Sequence, residues 1–123
     1  MEKKILFIED DRLFQKTLGQ KLRAEGFNVI SAFSGQEGLN KAQKEKPDLI
    51  LLDLILPKMT GLEILKELKE NDSTKGIKVV ILTNVSSEIE RIQKSMELGA
   101  TAYLIKSEYS LEELVKKIKE FLK

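Results

Sequence analysis

Five short apolar runs rich in β-branched and aliphatic residues recur along the chain: Lys4–Ile8, Asn28–Ala32, Leu49–Leu52, Val79–Leu82 and Ala102–Ile105. Their spacing, roughly 20 to 30 residues, fits one strand-plus-helix unit each. The first, third and fourth are apolar at successive positions, the pattern of strands covered by helices on both faces. Between the runs lie polar stretches with helical periodicity. Four open on Ser or Thr with Glu three residues on, the form of a capping box: Ser34/Glu37, Thr60/Glu63, Ser87/Glu90 and Ser110/Glu113. Gly26 and Gly99 stand where the first and fourth helices should stop. The last segment carries an apolar stripe in Leu111, Leu114, Val115, Ile118 and Leu122. The pattern predicts βαβαβαβαβα over residues 1–123, a single α/β domain with a parallel sheet.

Composition narrows the chemistry. The 123 residues include 41% hydrophobic side chains, enough for one core. Lys+Arg 21 against Asp+Glu 20 leaves a formal net charge of +1, and no long basic run supplies a nucleic-acid or anionic-membrane patch. No apolar stretch is long enough to span a bilayer, and the N-terminal apolar run is too short for a signal peptide. The expected location is cytoplasmic. The chain contains neither cysteine nor histidine. Disulfides, thiolate metal sites and every Ser-His-Asp or Cys-His mechanism are thereby excluded.

Open parallel sheets bind ligands outside the carboxyl ends of their strands. Here those ends carry Glu9, Asp10 and Asp11 after the first run, Asp53 after the third, Thr83 after the fourth and Lys106 after the fifth. Carboxylates brought together repel one another unless a cation lies between them. With oxygen donors and no His or Cys, a hard ion is selected, Mg²⁺ first. Lys106 would neutralise the oxygens of an incoming phosphoryl group and Thr83 would donate a hydrogen bond to it. Asp53 would be the nucleophile, forming an acyl phosphate. Each residue also has a plainer reading. Asp10 or Asp11 can cap the first helix, a role assigned to Asp11; Thr83 suits a strand end, Lys106 a solvated surface, and Tyr103 simple packing. Asp53 resists such a reading, because a charge inside an apolar run needs a partner.

The stretches FIEDD, LLDLILPKMTG, ILTN and GATAYLIKS resemble, in order and across essentially the whole chain, those of response-regulator receiver domains of the chemotaxis-regulator type. The resemblance implies a doubly wound, flavodoxin-like sheet of order 2-1-3-4-5. It also implies that Asp53 is the phosphoacceptor, that Asp10 binds Mg²⁺ directly and Glu9 through water, and that the backbone carbonyl of Ile55 completes the protein's share of the coordination. Thr83 and Lys106 match the family's hydroxyl and lysine, Tyr103 its switch aromatic, and Pro57 and Gly61 the turn after the phosphorylated strand. The implied function is a stand-alone switch of a two-component system without an output domain, catalysing only its own aspartyl phosphorylation and dephosphorylation. It would be charged by a sensor histidine kinase or phosphotransfer protein. It would act on a downstream protein through the fourth helix, fifth strand and fifth helix, as a monomer or weak homodimer.

Four positions depart from the family pattern. Ser107 replaces the proline that usually follows the lysine, which predicts a trans bond and a reshaped loop. Asn84 stands where a smaller residue is common. Ile55 and Val85 are apolar where side chains tune loss of the phosphoryl group, which predicts slow self-dephosphorylation. Competing readings are a degenerate receiver that binds partners without phosphorylation, an aspartyl-phosphate phosphatase and a flavin carrier. The phosphatase would lack a general acid at Ile55, and the flavin carrier's phosphate would meet the acids after the first strand. The glycines of SGQEG, Gly35 and Gly38, match no phosphate-loop motif.

Overall fold

The computed structural model describes residues 2–84 and 89–123. Five strands, β1 (Lys4–Ile8), β2 (Asn28–Ala32), β3 (Leu49–Leu52), β4 (Lys78–Thr83) and β5 (Ala102–Ile105), alternate with helices α1 (Arg12–Ala24), α2 (Gly35–Glu45), α3 (Gly61–Glu70), α4 (Ile89–Glu97) and α5 (Leu111–Phe121). All strand pairs are parallel and the order is β2-β1-β3-β4-β5, as expected. The chain therefore reverses its winding between β1 and β3, and the carboxyl ends of these two neighbours open the crevice at that switch point.

The alternation of side chains along each strand divides the core. Ile5 and Phe7 of β1, Leu49 and Leu51 of β3, and Val80 and Leu82 of β4 pack beneath Leu18 and Leu22 of α1 and Leu114, Val115 and Ile118 of α5. Leu6, Ile8, Ile50, Leu52 and Ile81 face the other way, beneath α2, α3 and α4. Every residue of β3 is 0% exposed, which is why its run is apolar without alternation. At about 1.5–3 kcal/mol for each large aliphatic side chain buried, this strand is among the strongest anchors of the sheet.

Local chemistry sets the ends of the elements. Asp11 caps α1, its Oδ1 accepting from the amides of Leu13 (3.0 Å) and Phe14 (3.2 Å). Ser110 and Glu113 form a complete reciprocal box on α5. Ser34 and Thr60 accept from the amides of Glu37 and Glu63 as expected, but the Glu37 carboxylate turns instead to the amide of Phe33 (2.6 Å). Of the fourth predicted box, Ser87/Glu90, the serine lies outside the described residues and Glu90 stands in the first turn of α4. Gly26 (φ 94°) and Gly99 (φ 106°) take the left-handed conformation that ends a helix at little cost for glycine. The free edge of β2 is covered by side chains: Arg23 donates to the carbonyl of Val29 (3.0 Å) and Lys41 to that of Ser31 (2.6 Å), which blunts the edge against pairing with another chain.

Candidate functional site

β1 and β3 end side by side, and that fixes the acids. Asp53 follows the last residue of β3, and its amide donates to the carbonyl of Ile8 (3.2 Å). Its Oδ1 accepts from the amide of Ile55 (3.2 Å), so the side chain is held by the turn that follows it. The same turn passes Gly61 so closely that a Cβ there would lie 2.3 Å from the Asp53 carbonyl oxygen. Glu9 follows β1; its amide donates to the carbonyl of Ala32 (3.0 Å), and its Oε2 accepts from the amide of Asp11 (3.1 Å). Glu9 and Asp53 are buried and Asp10 is exposed at the rim, yet an oxygen from each lies within 4.8 Å of those of the other two. Lys106 reaches in from the end of β5. Its Nζ contacts Glu9 Oε1 and lies 3.7 Å from Asp53 Oδ2.

The charges are under strain. Burial, together with repulsion from Asp53, pushes the Glu9 carboxyl up to about 7, against the pull of Lys106. Burial also raises Asp53, with Lys106 and the Ile55 amide acting in the opposite sense. One ammonium cannot offset the desolvation of two carboxylates with a third beside them. Three close oxygen ligands without nitrogen or sulfur suit a hard divalent cation. One strand across, Thr83 is fully buried and its Oγ1 has no hydrogen-bond partner among the described residues. A buried, unsatisfied hydroxyl costs about 1–3 kcal/mol unless a further group comes to it.

A model of the response regulator receiver domain matches residues 5–119. The chain belongs to this family. It is 37% identical over 123 residues to the alkaline phosphatase synthesis transcriptional regulatory protein PhoP of Bacillus subtilis, covering 100% of this chain and 50% of that protein. It is 36% identical to sporulation initiation phosphotransferase F of the same organism, covering 99% of this chain and 95% of the relative. The chain thus spans half the length of the first relative and nearly all of the second. Among solved structures, a CheY-like receiver domain from Methanospirillum hungatei superposes with a TM-score of 0.90 at 34% identity, covering 99% of this chain and 94% of that one. Chemotaxis response regulator CheY4 of Vibrio cholerae follows at 0.89 and 30%, over 98% and 99%.

In this receiver domain the structure brings Glu9, Asp10, Asp53 and Lys106 together, with Thr83 at the end of the neighbouring strand. Ile55 contributes its amide to Asp53, and its side chain is 45% exposed. Tyr103 is not in the cluster. It is half-exposed and lines a groove with Ile89, Ile92, Gln93, Met96 and Ile105. No described peptide bond is cis, so the Lys106–Ser107 bond is trans, and residues Lys106–Glu108 form one 3-10 turn. Lys106 nevertheless reaches both acids, so the reshaped loop does not withdraw it. Asn84 is exposed at the rim, and Val85 lies outside the described residues.

The sequence reading passed over Gln15. It is buried, and the two N–H groups of its Nε2 are shared among the carbonyls of Phe7 (2.8 Å), Glu9 (3.1 Å) and Ala32 (2.9 Å), tying the end of β1 to β2 beneath the acids. The available signal was a polar residue on the stripe that Leu18 and Leu22 continue.

Proposed function

We propose that the chain is a phosphorylation-controlled switch in which Asp53 accepts a phosphoryl group from the phosphohistidine of a partner kinase or phosphotransfer protein. The observation that carries this is the convergence of three carboxylates within 4.8 Å of one another with one lysine set between two of them. Such a cluster is short of positive charge, and its members differ in access. Asp10 at the rim would hold Mg²⁺ directly, with Asp53 and the Ile55 carbonyl, and Glu9 would act through water. The ion would supply charge neutralisation for the transferring group.

In the transfer, an Asp53 carboxylate oxygen forms a bond to phosphorus while the donor's P–N bond breaks. The electron pair leaves on the imidazole nitrogen, and no proton has to come from this chain. Lys106 neutralises a phosphoryl oxygen, and the unpartnered Thr83 hydroxyl donates to another. Thr83 is thereby drawn toward the site, and Tyr103, half-exposed at the groove beside α4, answers by changing its exposure. Output passes through binding of another protein at the face formed by α4, β5 and α5. The sporulation relative is named a phosphotransferase, in keeping with phosphoryl traffic of this kind.

The test is incubation with Mg²⁺ and acetyl phosphate, followed by intact mass. The expected result is one phosphoryl group on the parent, persisting for minutes or longer, and none on Asp53→Asn. Equal incorporation in both, or in neither, removes Asp53 as the acceptor; the second outcome leaves a receiver that binds its partners without phosphorylation.

A further inference from the structure

A ring from outside the acid cluster touches the lysine. Lys106 Nζ lies 4.5 Å from the centroid of Phe14, over the ring face, inside the range where an aromatic quadrupole attracts a cation. The Lys106 side chain is only 12% exposed, and removal from water is the condition under which such a contact is strongest. Phe14 is itself fixed twice. Its amide is held by the Asp11 cap in the first turn of α1. Its ring stands edge-on to Phe7 of β1, centroids 5.8 Å apart at 75°, and Phe7 is 1% exposed.

We propose that Phe14 is a positioning residue for Lys106, its ring face holding the ammonium at the mouth of the carboxylate cluster so that it is in place when Asp53 is phosphorylated. This rests on the reading of Asp53 and Lys106 given above. An ammonium has three donors. Glu9 takes one, and Asp53 Oδ2 at 3.7 Å is beyond hydrogen-bond length. The ring meets the ammonium by its face and takes no place among the carboxylate oxygens. It therefore keeps a flexible four-carbon chain from swinging into solvent while leaving its donors free for phosphoryl oxygens.

The test compares Phe14→Leu, which keeps apolar packing and loses the ring, with Phe14→Tyr, which keeps the ring, each alone and combined with Lys106→Ala. Two readouts are taken. In NMR spectra, the Lys106 Hε resonances should lie upfield in the parent and in Phe14→Tyr through the ring current, and return to ordinary lysine positions in Phe14→Leu. Initial rates of phosphoryl incorporation from acetyl phosphate with Mg²⁺ should fall about threefold to tenfold in Phe14→Leu, stay within about twofold in Phe14→Tyr, and show no further loss from Phe14→Leu once Lys106 is alanine. Unmoved Lys106 resonances in Phe14→Leu overturn the proposal. So does a rate loss of equal size in the Lys106→Ala background, which would mark Phe14 as packing alone. If Asp53→Asn is phosphorylated like the parent, the acceptor reading fails instead, and the resonance positions still decide whether the ring holds the lysine.

Discussion

Asp53→Asn should make the metal-free protein more stable at pH 8, because the acid cluster works against the fold. Glu9 is raised from 4.5 to about 7 on folding. At about 1.4 kcal/mol per tenfold, its ionised form costs the folded state about 3 kcal/mol. Burial is the larger cause and the Asp53 charge the next; Asp53 is itself raised by burial. The amide is isosteric, keeps an Oδ1 for the Ile55 amide and can donate to Glu9. The substitution should therefore return about 1–2 kcal/mol, or roughly 4–8 °C in Tm for a chain of this size. Both carboxyl groups bind a proton more tightly folded than unfolded, so the unfolding free energy of the parent should fall as pH rises from about 4.5 to about 7. The gap between parent and variant should accordingly narrow at pH 5. Glu37, held low by the Phe33 amide, acts in the opposite sense and loses its contribution as pH falls below the usual carboxylate range. Urea denaturation followed by circular dichroism, in EDTA at pH 5 and pH 8, measures these differences in a chain with no tryptophan. A variant no more stable than the parent at pH 8 would refute the claim that burial outweighs the lysine.

Three further substitutions probe how the site and its surroundings are held. Gly61→Ala would place a Cβ 2.3 Å from the Asp53 carbonyl oxygen and 2.5 Å from Leu54 Cα, both backbone atoms; a loss of about 1–3 kcal/mol or more is expected in urea denaturation. The nearest atoms to a Cβ at Gly38 belong to the side chain of Ile8 rather than to backbone, and Gly38→Ala should cost less. Gln15→Leu removes the hydrogen bonds that its amide gives the carbonyls of Phe7 and Glu9, and should cost about 1–3 kcal/mol and speed hydrogen exchange at the Glu9 amide.

The elements were legible in the sequence because local pattern and tertiary burial agree along most of the chain. The runs at residues 4–8, 28–32, 49–52 and 102–105 are the strands observed. β4 extends one residue further at each end, to Lys78 and Thr83, because pairing with Leu49 and Ile105 continues the ladder past the apolar run. Hydrogen bonding, unlike hydrophobic pattern, ignores side-chain polarity at a strand end. The Glu37 carboxylate escaped the capping-box reading for a similar reason: an unpaired amide at Phe33 competes for it. Order within the sheet came from family resemblance, since spacing alone does not rank parallel strands. Gln15 and Phe14 were illegible in a stricter sense. Their partners lie on other elements, and the Lys106–Glu9 contact joins residues 97 apart in sequence.

What a charge gains from the end of an apolar strand follows from these energies. β3 is fully buried and flanked on both sides, so it offers Asp53 little freedom to relax away from Glu9. On a mobile loop the same acids would separate and their repulsion would vanish, and with it any reason to bind a cation or accept a phosphoryl group. Held by β1 and β3, the repulsion would become affinity for a ligand that neutralises it. By linkage, any ligand that neutralises the cluster must stabilise the fold by the same free energy that the fold lends to binding it. Mg²⁺ at pH 8 should therefore raise the parent's stability more than that of Asp53→Asn. The advantage should shrink toward pH 5, where protons already occupy the place the ion would take.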